Sequence, residues 1–415
     1  MILRLLFAAL LLAPLAAQAD GQGIALSDDA RLHFFFESEL RYDSLAGQGG
    51  IGASNGSGPT AVDPADFILH IRPGAKVIEQ GTELQLTGLA NIDYVDYTGW
   101  LAPTHQLSYL GAAVQAALAV GGQGPVGFNV SEAFNRSDQT TNPSLGIGSI
   151  TDSNNLGARV AFRPGGGAIE AGLGYTFGIE SYELHSAGDL GSSCTDSSCN
   201  GALYGDFDSQ THRFALDARW KFFPKTAIVF DSSFELREYS TTVDSMGNVI
   251  NRPSDPFLVE AGLAGLITEK VRLVLKGGYS NTLSQSGDTF SGPVAQLEAG
   301  WDPSETASIT AGALRTVQPV SGTYGWYDDW RGYLSARVAL GGRFALSGSA
   351  NLDILFFANS DRQDTQAMAQ AALDVELFRM LHASIGAILT SRDSSLGGVF
   401  TYQRTEAFIR LNFTY

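Results

Sequence analysis

The chain has 415 residues, 48 of them glycine, with 10% aromatic side chains and a formal net charge of −17. That acidity excludes a nucleic-acid partner, because phosphate recognition needs clustered Lys and Arg. Beyond Ala19 no apolar run reaches the ~18 residues of a membrane-spanning helix, which excludes a helical inner-membrane protein.

Residues 1–19 carry one early cation, Arg4, an apolar run over 5–15, and Ala17, Gln18 and Ala19 before Asp20. This is the pattern of a secretory signal peptide with a small-x-small cleavage site, and no cysteine stands near the cut to make a lipoprotein. Residues 20–415 then read as one exported domain.

Over 31–42, Leu32, Phe34, Phe36, Leu40 and Tyr42 fall on one side and Arg31, His33, Glu37, Glu39 and Arg41 on the other. A period of two with one polar side is a β-strand between two solvents. A Gly, Ser, Asn and Pro-rich loop follows to Pro64. Residues 67–77 alternate again, with His70, Arg72 and Lys76 on the polar side. After a turn at 79–82, Leu84, Leu86, Ile92 and Tyr94 oppose Glu83, Gln85, Asn91 and Asp93. Residues 107–120 are alanine-rich and slip register near Ala113, which predicts a bulged strand, with a helix as the alternative. A weak strand covers 126–134. Clearer ones cover 156–162, with Arg159 on the polar side, and 169–179, with Glu170.

Residues 214–222 oppose Arg213, Asp217 and Arg219, and after Pro224 and Lys225 the run 228–236 opposes Asp231, Glu235 and Arg237. Further alternating runs are 257–267, 271–283 with Arg272, 293–301, 307–317, 330–340 with Arg337, 344–357 with Asp353, 367–378 with Asp374 and Glu376, and 381–390. In the terminal stretch Ala407, Ile409, Leu411, Phe413 and Tyr415 are apolar, and Glu406, Arg410, Asn412 and Thr414 project the other way. In water that strand would be an aggregation-prone edge, whereas in a bilayer it is satisfied by pairing with the first strand. Ile409, Leu411, Phe413 and Tyr415 make it the strand expected to engage the barrel assembly machinery.

Short connections, around Gly81, Gly122, Gly166, Pro224, Glu269, Pro303, Gly341 and Arg379, alternate with longer ones. Aromatic residues gather near both strand ends, as two headgroup girdles require. The expectation is an all-β fold, a transmembrane antiparallel up-and-down β-barrel of about eighteen strands (sixteen to eighteen), with both termini periplasmic and the barrel in the outer membrane of a Gram-negative bacterium. A soluble propeller or sandwich would also alternate, but with shorter strands and a polar outer face.

A barrel this wide cannot be filled by its own side chains and leaves an aqueous lumen. The inward charges are mixed in sign. They read as salt-bridge ladders that stiffen the wall, or as a selectivity filter or track for a polyanionic or polyhydroxylated solute. Folding at Pro224 places Arg213 opposite Glu235, and Arg219 near Asp217 and Asp231. Residues 135–152 are the candidate constriction. No plug is expected, because the first strand begins about a dozen residues after the cleavage site.

Cys194 and Cys199 are expected to form a local disulfide in an oxidising compartment. No histidine stands at metal-ligand spacing, and four residues rather than two separate the cysteines, unlike a redox pair. His33, His70, His105, His185, His212 and His382 are scattered, and no G-x-S-x-G elbow occurs. No catalytic residue, cofactor or metal is therefore expected, and the chain does not read as an enzyme.

The opening Phe36-Glu-Ser-Glu-Leu-Arg-Tyr-Asp-Ser44, the two-residue alternation and the aromatic end together resemble the β-barrel porins found with outer-membrane polysaccharide export systems. That resemblance implies an eighteen-stranded conduit passing a polymer outward, with a periplasmic export protein as partner. The alternatives are a passive or substrate-specific porin for small hydrophilic solutes, and a closed barrel whose loops bind at the cell surface.

Overall fold

Among the described residues every long strand pairs with its neighbours in sequence, and the last long strand pairs with the first. The structure is a computed structural model that describes residues 23–46, 65–102, 104–122, 124–138, 149–184, 207–243, 247–397 and 400–415. After a two-residue piece, β1 (Ile24–Ala25), the first half of the wall is β2 (Ala30–Asp43), β3 (Asp66–Gln80), β4 (Leu84–Tyr97), β5 (Tyr109–Val120), β6 (Val126–Ser137), β7 (Ser149–Phe162), β8 (Ile169–Leu184), β9 (Ser209–Phe223) and β10 (Thr226–Tyr239). The second half is β11 (Phe257–Leu266), β12 (Val271–Asn281), β13 (Ser291–Ser304), β14 (Ala307–Pro319), β15 (Trp326–Ala339), β16 (Phe344–Phe357), β17 (Gln363–Phe378), β18 (Leu381–Ser394) and β19 (Tyr402–Thr414). β19 pairs antiparallel with β2, Arg410 opposite Glu39, which closes an eighteen-stranded barrel as the alternation predicts.

Connections of two residues at Pro224 and Lys225, Glu305 and Thr306, and Arg379 and Met380 lie at one end, together with the start of β2 and the end of β19. The opposite end carries the longer connections, such as 98–108 and 240–256. Closure removes every long edge, so no backbone ladder is left unpaired toward lipid.

One face of each strand is apolar and exposed, with Leu173 67% and Ile409 57% accessible, and the other carries the buried charged residues. In a bilayer the first face is the lipid face and the second the lumen wall. Outward charges that depart from this rule lie mostly at the loop end, where Arg136 pairs with Asp152 and Glu183. Arg315 lies at the loop end between the rings of Trp330 (4.7 Å) and Phe290 (5.3 Å), paired with Asp328 at 2.8 Å. Glu132, midway along β6, is exposed on the outer face between Ala116 and Leu156. That carboxylate breaks the outward alternation, which is why 126–134 reads weakly as sequence.

The slip predicted near Ala113 is absent. β5 keeps an unbroken register with both β4 and β6, and Leu107 belongs to a 3-10 turn at His105–Leu107. Gly111, Ala113, Ala117 and Ala119 share its inward face, so both sides look apolar and the alternation is blurred without any bulge. Several strands also run past their apolar stretch at the loop end, β7 from Ser149 rather than 156 and β15 from Trp326 rather than 330. Beyond the bilayer both faces meet water, so the ladder continues after the alternation has stopped. Residues 1–19, Cys194, Cys199 and His185 lie outside the described residues.

Candidate functional site

The lumen wall is most densely charged where the barrel closes. Glu39, fully buried, accepts from Arg41 at 2.5 Å and from Arg410 of β19 at 2.5 Å. Arg41 also reaches Glu406 across the seam (3.1 Å), and Arg404 reaches Asp43 (2.6 Å). With Arg410 also 3.7 Å from Glu37, the closing strands are thus joined on the lumen side by four ion pairs besides their backbone ladder. With side chains at most 22% exposed, these pairs are costly to break singly.

The same network continues onto β3 and β4. Pro73 has no N–H, and the β3–β4 register skips from Ile71 to Gly74. Arg72 spans that gap, donating to Asp93 at 2.8 Å and to Glu37 at 2.6 Å, with His70 also against Asp93. The side-chain bridge replaces the missing backbone bonds.

Around β7–β12 two pairs are wetter, Arg159 with Asp217 at 2.6 Å and Lys276 with Asp231 at 2.6 Å, while Arg237 holds the buried Glu235 at 3.1 Å. Half-exposed pairs such as Arg159 with Asp217 contribute about 0–1 kcal/mol each. Arg213 stands opposite Glu235 in register, yet its guanidinium turns to Ser233 Oγ (3.0 Å). Arg219 makes no ion pair among the described residues, because Arg159 and Lys276 have taken the two carboxylates assigned to it. On β15 and β16, Arg331 bridges Asp329 and Asp353.

Large inward side chains lie flat against the wall. The Phe35 ring covers Gly74 and the Phe408 ring covers Gly386, where a Cβ would collide with the ring. Arg159 lies likewise over Gly172 and Arg272 over Gly300. Glycine sockets let these groups run along the barrel circumference.

At the loop end, connections fold inward over the wall. Asp66, fully buried, accepts from Gly99 N (2.7 Å), Leu101 N (3.1 Å) and the Thr104 hydroxyl, which draws the 98–108 connection over the bore. Leu107 then packs on the inward residues Ile68, Val95 and Tyr97. Tyr97 donates to Asp138 (2.9 Å), whose N–H donates to Tyr109 (3.0 Å). The candidate constriction 135–152 therefore touches this corner at Asp138, and 139–148 lie outside the described residues. Farther round, the buried Arg362 sits between the rings of Phe357 (4.1 Å) and Phe400 (4.0 Å) and pairs with Asp364 at 2.7 Å. Gly322 N donates to Asn251 (2.7 Å), Asn359 to Tyr324 O (2.9 Å) and Trp326 to Asp288 O (2.7 Å), linking four connections into one lattice.

Of the inward charges read from sequence, the register places Lys76 on β3, Glu170 on β8, Arg272 on β12, Arg337 on β15, Asp374 and Glu376 on β17, and those already described on the same inner face. Glu83 departs: it is exposed in the turn before β4 and off the wall. Sequence reasoning missed Lys276, Glu260 and Glu298, which parity within strands already recognised would have found. It also missed Asp43, Asp66, Asp329, Asp364, Arg392 and Arg404, which lie beyond the apolar stretches. His33 and His70 are both inward and buried, but only His70 faces a carboxylate, Asp93, whereas His33 Nδ1 meets no hydrogen-bond partner among the described residues. Among the described residues no group of His, Cys, Asp and Glu could hold a metal ion.

A closed eighteen-stranded wall, apolar outside and charged within, defines an outer-membrane porin-type β-barrel. Residues 112–415 match the family described as Putative beta-barrel porin 2, and the chain belongs to that family. No curated protein matches. Solved structures of similar shape include OccAB3 of Acinetobacter baumannii (TM-score 0.48, 8% identity, 94% of this chain and 100% of that one). OccK2 (OpdF) of Pseudomonas aeruginosa is similar at TM-score 0.48 and 9% identity, over 95% of this chain and 99% of that one. The FrpB iron transporter of Neisseria meningitidis is similar at TM-score 0.46 and 10% identity over 89% of this chain, which spans 62% of FrpB.

Proposed function

We propose that the barrel is a passive, water-filled channel for small hydrophilic solutes across the outer membrane, with the short-turn end and both termini in the periplasm. The observation that carries this reading is the inner wall, charged or polar on most strands, with Phe35, Phe408, Arg159 and Arg272 laid along glycine sockets. Eighteen strands enclose more space than side chains can fill, so a wall built this way leaves a path for water. Single-channel conductance of the refolded mature chain in a planar bilayer, with neutral polymers of graded size, tests it. A steady open conductance that small polymers reduce and large ones leave unchanged is expected. A folded but silent barrel would refute it.

Export of a polysaccharide with a periplasmic partner is the second reading. It draws on the likeness of residues 36–44, a stretch outside the matched 112–415. Loss of extracellular polymer on deletion, with small-solute uptake unchanged, would put it first. A silent barrel with an unchanged polymer phenotype would instead favour a loop-displaying surface protein.

A further inference from the structure

One sector of the bore is built differently from the rest. The inward face of β6 carries no ionisable side chain and that of β5 only Tyr109, at the loop end. In their place stand amides and hydroxyls separated by alanine and glycine. Gln115 and Asn155 share one row across the wall with Ala133 between them, and Ser131 and Thr176 share the next with Gly157 between them. Asn129 stands one row nearer the short-turn end, beside Arg159, whose guanidinium is turned away to Asp217. Successive rows are two residues apart, about 7 Å along the strand.

These five side chains make no hydrogen bond with any other among the described residues, unlike the paired charges elsewhere on the wall. Gln115 and Ser131 are exposed to the bore, and Asn129, Asn155 and Thr176 partly so. An amide both donates and accepts, and a hydroxyl does the same, so the strip can exchange hydrogen bonds with a solute without breaking any existing contact. An ionic solute gains less here, since the flanking guanidinium groups, Arg159 and Arg213, are turned to Asp217 and to Ser233. A neutral solute with many hydroxyls matches the strip group for group, and the small residues between recess the wall to admit it.

We propose that the β5–β8 strip is a binding track for neutral saccharides, an inference that rests on the reading of the barrel as an open channel. The test is ion current through single channels of the reconstituted mature chain with raffinose added, compared with lysine and glutamate. Raffinose is expected to interrupt the current in a concentration-dependent way, and the charged solutes are not. The triple variant Gln115→Leu, Asn129→Leu, Asn155→Leu is expected to need about tenfold more raffinose for the same block, with its unblocked conductance within about twofold of the parent. Should the triple variant fail to fold by heat-modifiable gel mobility, Asn129→Leu and Gln115→Leu singly are each expected to raise the blocking concentration about threefold. An open channel that raffinose leaves untouched, a block unchanged in the variants, or a stronger block by lysine or glutamate overturns the track while leaving the channel standing. Absence of any current overturns the channel and the track together.

Discussion

Replacing Glu39 by Gln tests whether the seam charges hold the barrel closed. The carboxylate is fully buried and is met by Arg41 and Arg410, each at 2.5 Å. Removing one member of a buried pair costs ~3–5 kcal/mol when its partner is left uncompensated. Here the loss is softened, because Arg41 keeps Glu406 at 3.1 Å and Arg410 keeps Glu37 at 3.7 Å. A destabilisation of about 2–3 kcal/mol follows. Glu406→Gln is the comparison: it is buried too, but Arg41 keeps Glu39 and Arg404 keeps Asp43 at 2.6 Å, so a smaller loss of about 1–2 kcal/mol is expected. Equilibrium urea unfolding of the two variants in lipid vesicles gives both numbers from the midpoints at a common slope. Equal midpoints for Glu39→Gln and the parent would refute the argument that these buried charges, rather than the backbone ladder alone, secure the seam.

Ile409→Arg places a cation on the lipid face and is expected to cost ~2–4 kcal/mol, read as loss of the folded gel band. Arg410→Gln should keep that band and alter conductance, and equal effects from the two would overturn the inside–outside register. Gly74→Val drives a branched side chain into the Phe35 ring and against the Ala90 carbonyl, and is expected to destabilise by about 1–3 kcal/mol in the same urea experiment, a cost that Phe35→Ala in the same chain should relieve in part, leaving the backbone clash. Glu132→Leu removes the carboxylate from the outer face and is expected to raise the urea midpoint, so a lowered midpoint would show that Glu132 has a partner in the membrane.

Where two solvents meet the chain, the alternation made all eighteen strands legible from sequence. It failed in two places for one reason: the signal is contrast between faces, not the strand itself. β5 lost contrast through inward alanines, and the strand ends beyond the bilayer lost it because water lies on both sides. The inward residues were legible by parity, but their partners were not. Arg213 and Glu235 are direct neighbours in register, yet each chooses another group, because a guanidinium reaches diagonally and the choice depends on burial and on competing carboxylates. The inward-folded connections were invisible, since nothing in the sequence around Asp66 announces that one carboxylate gathers N–H groups from residues 99 and 101.

The seam also sets the timing of assembly. Elsewhere the ladder joins neighbours in the chain, so the wall can grow one hairpin at a time over short distances. Arg410 and Glu39 are 371 residues apart, and Arg41 and Glu406 365. Their encounter closes a ring, and its entropic penalty cannot be shared among local steps. Closure is therefore the late event in folding, and parting of β19 from β2 the natural first event in unfolding. A variant that weakens only this seam should shorten the lifetime of the barrel by speeding its opening, while strand growth before closure proceeds at the parental rate.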